Sequence, residues 1–93
     1  MSSRTEITVT VLNKNGLHAR PSSVLAEAAL RYPDTLITVC RKGTAVDAKS
    51  IMELLMLEAA CGTELTVVAD GPRAQEALDE LEALFEKEFN LKL

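Results

Sequence analysis

The chain holds a single histidine, set in the string Gly16-Leu17-His18-Ala19-Arg20-Pro21. A proline fits the first turn of a helix, where its missing N–H has no intrahelical acceptor to lose. The string therefore places His18 at the N-cap of a helix, with the backbone amides of Ala19 and Arg20 free just beyond it. Such a terminus offers bare N–H donors and the positive end of the helix dipole, a setting that favours an anion of phosphate size. Arg20 adds a planar fork of charged donors. An imidazole in those surroundings can do more than bind: a neutral ring nitrogen can attack phosphorus and carry the group covalently. Residue types alone leave a second reading open, in which His18 only caps the helix and Arg20 is a solvated side chain. A hydrolytic pair of His18 with Ser22 or Ser23 has no nearby acid in sequence to orient it.

The charge map supports an anion at this place. No acidic residue lies between Glu6 and Glu27, a stretch that holds Lys14, His18 and Arg20. From Arg73 onward there are six acids and three bases, so most of the net charge of −4 belongs to the C-terminal end. The first part of the chain is locally basic within an acidic molecule.

A second feature is the segment 50–57 (SIMELLML), apolar nearly all round. A surface helix can bury only one side, so the remaining apolar residues form either an exposed patch for a protein partner or additional core. Ser50 and Glu53 make an S-x-x-E capping box at its start. A phosphoserine at that helix N-terminus would be electrostatically tolerated and would place negative charge beside the patch.

Seven elements must position these groups. Segment 6–12 alternates Ile7, Val9 and Val11 with Thr8 and Thr10, the period of a half-buried strand. After a turn-like stretch over 13–16, a helix over 19–31 carries Leu25, Ala28, Ala29 and Tyr32 on one stripe and ends before Pro33. Strands over 36–41 and 44–48 flank a Lys42-Gly43 hairpin turn. A helix over 50–60 is capped by Gly62. A strand over 64–69 puts Leu65, Val67 and Ala69 on one side. The last helix, over 73–89, shows the stripe Ala74, Ala77, Leu78, Leu81, Leu84 and Phe85. Strands that alternate their faces hide one side only, which predicts an α+β domain with an antiparallel sheet under helices, in the order β-α-β-β-α-β-α. The pattern does not separate this from a ferredoxin-like split βαβ.

Composition bounds the remaining possibilities. With 93 residues there is room for one domain, expected to span 1–93. Few aromatics and a net negative charge argue against a nucleic-acid partner. No apolar run approaches the roughly 20 residues of a membrane helix. The start MSSRTEI has no hydrophobic signal segment, so a cytoplasmic protein is expected. Cys40 and Cys61 lack metal-ligand spacing and are expected to be reduced, mostly buried thiols, with neither metal nor cofactor implied.

The string NGLHARPSS, followed about thirty residues later by AKSIM, resembles the histidine-containing phosphocarrier (HPr) family of the bacterial phosphotransferase system. The likeness covers essentially the whole chain. It implies an open-faced β-sandwich, four antiparallel strands covered on one face by three helices. It implies phosphorylation of His18 on Nδ1 by enzyme I at the expense of phosphoenolpyruvate, and onward transfer to EIIA domains. Arg20 matches the arginine that contacts the phosphoryl group, with the Ala19 and Arg20 amides beside it. Ser50 matches the serine modified by HPr kinase/phosphorylase. Leu17, Ile51, Met52 and Leu55 match the partner-binding patch. A monomer is implied, and a nitrogen-type regulatory module acting through docking is the alternative. Glu53 and Glu58 depart from the family pattern, standing where many relatives carry uncharged residues or glycine.

Overall fold

The computed structural model describes residues 3–91. Strict alternation builds its sheet. Strand β1 (Arg4–Thr10) turns Ile7 and Val9 inward and exposes Thr8 and Thr10. Strand β2 (Leu36–Arg41) buries Ile37 and Val39, β3 (Thr44–Asp47) buries Val46, and β4 (Glu64–Asp70) buries Leu65, Val67 and Ala69. The strand order is β1-β4-β2-β3, every neighbouring pair antiparallel. One row of side chains, Ile7–Val67–Val39–Val46, crosses all four strands on the helix-covered face. The neighbouring row, Thr8–Thr66–Cys40–Ala45, lies on the open face. This is the open-faced sandwich, and it resolves the choice left between the two topologies.

Helices α1 (Ala19–Ala29), α2 (Ile51–Met56) and α3 (Ala74–Glu86) cover the apolar face. The expected stripes are buried: Leu25, Ala28, Ala29 and Tyr32 from the first helix and the turn after it, and Ala74, Ala77, Leu78, Leu81 and Phe85 from the third, with Leu84 partly buried. At the head of α3, Arg73 donates two hydrogen bonds to Glu76 (3.2 and 2.5 Å). That pairing raises the guanidinium above its usual range and lowers the carboxyl. No helix among the described residues is long and apolar enough to cross a membrane.

Several boundaries differ from the sequence expectation, most by one or two residues. β1 begins two residues earlier, because Arg4 and Thr5 still pair with Asp70 and Ala69. α1 stops at Ala29, and the chain tightens through i→i+3 bonds, Arg31 N–H to Ala28 O and Tyr32 N–H to Ala29 O, both 3.1 Å. α2 is much shorter than the segment 50–60. Its C-cap is Leu57, and the left-handed residue after it is Glu58, not Gly62. α3 ends at Glu86, and Glu88, Phe89 and Asn90 all take positive φ. Phe89 is four residues beyond Phe85, so the stripe continues in sequence. The chain buries Phe89 by turning back, with the two rings edge-to-face at 4.8 Å.

Candidate functional site

The loop that delivers His18 is pinned from both sides. Gly16 N–H closes a turn onto Asn13 O (2.9 Å), and Leu17 N–H donates to Ala59 O (2.8 Å) in the segment after α2. Leu17 drops into the core, only 4 % exposed, and the next side chain, His18, is exposed. The resemblance places Leu17 in the partner-binding patch; it is nearly buried and lines a depression beside His18. It anchors the loop that presents the ring.

His18 is the N-cap of α1, in extended conformation (φ −85°, ψ −166°), and its side chain makes no capping hydrogen bond. Its carbonyl accepts the first helical bond, from Ser22 N–H at 3.0 Å. The ring is thus placed by the helix start without being consumed by it. Ala19 and Arg20 follow in the first turn, where amides have no intrahelical acceptor. Arg20 is exposed and forms no ion pair among the described residues. His18 and Arg20 share a cleft of about 210 Å³ with Asn13, Lys14, Asn15, Glu88 and Leu91. The locally basic stretch therefore converges on one concavity. His18 also borders a shallow depression lined by Asn15, Leu17, Leu55, Glu58 and Ala59.

Ser22 is fully buried, and its hydroxyl donates to Leu17 O at 3.1 Å. It fixes the carbonyl next to His18 and is unavailable as a nucleophile, which removes the Ser22 version of the hydrolytic pair. Ser23 faces the groove between α1 and α2, with Leu30 and Met52. Asn13, seen in the sequence only as a turn residue, is buried and donates through Nδ2 to Glu88 O at 3.0 Å. It ties the C-terminal turn to the cleft across 75 positions of sequence.

Ser50 caps α2, accepting from Glu53 N–H at 3.2 Å. The Glu53 carboxylate does not return to Ser50 but accepts from Asp47 N–H at 3.1 Å. Half of the capping box is therefore present. Of the expected patch, Ile51 (41 %) and Met52 (75 %) are exposed and Leu55 is half-buried. Met56, 72 % exposed and part of the apolar segment 50–57, extends it, while Leu54 faces the core. The cysteines are free thiols and depart from expectation only in burial: Cys40 is half-buried on the open sheet face and Cys61 is exposed.

Comparison with known proteins agrees with this architecture. A family model described as the PTS HPr component phosphorylation site matches residues 5–87. The chain is 44 % identical over 82 residues to the phosphocarrier protein HPr of Treponema pallidum, covering 88 % of this chain and 92 % of that protein. It is 39 % identical over 83 residues to the phosphocarrier protein NPr of Klebsiella oxytoca, covering 89 % and 92 %. A crystal structure of HPr from Thermoanaerobacter tengcongensis superposes with a TM-score of 0.90 at 34 % identity, over 96 % of this chain and 99 % of that one. With the fold and most of the length matched, the chain belongs to the HPr phosphocarrier family of the phosphotransferase system.

Proposed function

We propose that the chain is a monomeric cytosolic phosphocarrier that takes a phosphoryl group onto His18 from phosphorylated enzyme I and surrenders it to an EIIA domain. The observation that carries this reading is the exposed, uncapped imidazole at the head of α1 beside an Arg20 with no ion pair among the described residues. In the transfer a ring nitrogen forms a bond to phosphorus as the bond from phosphorus to the donor breaks. The electron pair of that broken bond stays with the donor. The amides of Ala19 and Arg20 and the Arg20 guanidinium take up charge on the three equatorial oxygens. A clamp this small suits a carrier, since tighter hold on the intermediate would raise the barrier to its departure.

The apolar surface of Ile51, Met52, Leu55 and Met56 supports brief docking of successive partners. Regulatory phosphorylation at Ser50 has less support. Its oxygen is engaged as the α2 cap, and the Glu53 carboxylate one turn away opposes a second negative charge.

Incubation with enzyme I and phosphoenolpyruvate is the deciding experiment. An acid-labile phosphate on His18 that passes to an EIIA domain supports the carrier. A chain that binds these partners but takes up no phosphate supports the regulatory alternative.

Arg20→Ala is expected to slow uptake by about tenfold to a hundredfold, the loss of one charge-assisted contact worth about 1.5–3 kcal/mol. Stability should hold, because the side chain touches no partner among the described residues. Equal rates for variant and wild type would remove Arg20 from the site.

A further inference from the structure

Glu58 occupies the first position beyond the α2 C-cap with φ of +49°. Glycine takes this left-handed conformation freely and asparagine tolerates it, but a glutamate is held there at a cost. Its neighbours prevent relaxation. Leu57 and Ala59 are buried on either side, and Ala59 O is fixed by Leu17 N–H at 2.8 Å. The Glu58 side chain contributes nothing visible in return. It is exposed and makes no hydrogen bond or ion pair among the described residues. A strained residue with an idle carboxylate points to a use outside the fold.

Its location says which use. Glu58 lines the same depression as His18 and Leu55, while Lys14, Arg20 and Glu88 line the adjoining cleft that His18 shares. The cleft thus holds two cations and one carboxylate, Glu88, whereas Glu58 is the sole carboxylate lining the depression. Any protein that reaches His18 closely enough to exchange a phosphoryl group must cover this depression and take Glu58 out of water. A carboxylate dehydrated without a cation opposes docking, and one matched to a cation favours it.

We infer that Glu58 determines partner choice, admitting phosphoryl-transfer proteins that present a lysine or arginine opposite it, next to an apolar contact for Leu55. A partner with an acid at that place is rejected by like charge. Glu58 touches none of the reacting atoms, so its effect belongs to the encounter and not to the transfer step.

This inference rests on the carrier reading, and one experiment separates the two. Uptake from phosphorylated enzyme I of the same organism is followed for wild type, E58D, E58N, E58K and E58G, at low and high salt. E58N is expected to lower the second-order rate about threefold to tenfold and E58K by more than about tenfold, with both differences shrinking at high salt. The single-turnover rate at saturation stays unchanged. E58D keeps the wild-type rate. E58G melts at a higher temperature than wild type while transferring as slowly as E58N, which shows the strain to be retained for the carboxylate. A wild type that is phosphorylated while E58N and E58K match or exceed it overturns the inference alone. A wild type that takes up no phosphate overturns the carrier reading and the inference together.

Discussion

His18→Ala is expected to abolish phosphoryl uptake while leaving the melting curve nearly where it was. The chain has no other imidazole to stand in. Ser22 is fully buried with its hydroxyl committed to Leu17 O, so it offers no substitute. The ring itself is exposed and makes no capping bond, so removing it costs the helix little, within about 0.5 kcal/mol. Uptake measured with labelled phosphoenolpyruvate and a thermal melt on the same sample test both halves. A variant that still takes up acid-labile phosphate would place the acceptor elsewhere. A variant that unfolds would make the ring a structural element.

The helix start that carries His18 was legible from sequence. His18, Arg20 and Pro21 lie within four consecutive positions, and the geometry they need is that of one helix start, set by local rules. The strands were legible for a similar reason. A half-buried sheet imposes a period of two, and Leu65, Val67 and Ala69 show it without interruption. What the sequence hid depends on pairings distant along the chain. Nothing near Asn13 announces Glu88 as its partner, and nothing near Gly16 announces Ala59.

The end of α2 was hidden for another reason. Stop signals are read from glycine, yet the residue that turns the chain left-handed is Glu58, so the segment 50–60 looked like one helix. The burial of Leu17 was hidden too, since the resemblance places it in the partner-binding patch. Extended backbone through His18 instead sends adjacent side chains in opposite directions, one into the core and one into water.

The loop under His18 depends on the absence of one side chain, and Gly16→Ala should show how much. A Cβ on residue 16 would stand 2.5 Å from Ala59 O and 3.0 Å from Ala60 Cα, both backbone atoms that cannot swing aside. Residue 16 also has φ of +76°, where an alanine is strained whatever the space. The two effects together are expected to destabilise the fold by about 2–5 kcal/mol, the sum of a left-handed alanine and local overpacking. For a chain of this size that lowers Tm by about 10 °C or more. Gly62→Ala is the matched control, since φ there is +91° but nothing lies within 4 Å of the added carbon. It should lose only the conformational part, about 1–2 kcal/mol. The excess in Gly16→Ala measures the close approach, and it carries a functional consequence. Ala59 O is the acceptor for Leu17 N–H, so pushing the two segments apart releases the residue that sets the direction of His18. Phosphoryl uptake by the folded fraction should therefore fall in Gly16→Ala and stay at the wild-type rate in Gly62→Ala. Equal melting temperatures and equal rates for the two variants would show that the contact with Ala59 does not hold the phosphoryl acceptor in place.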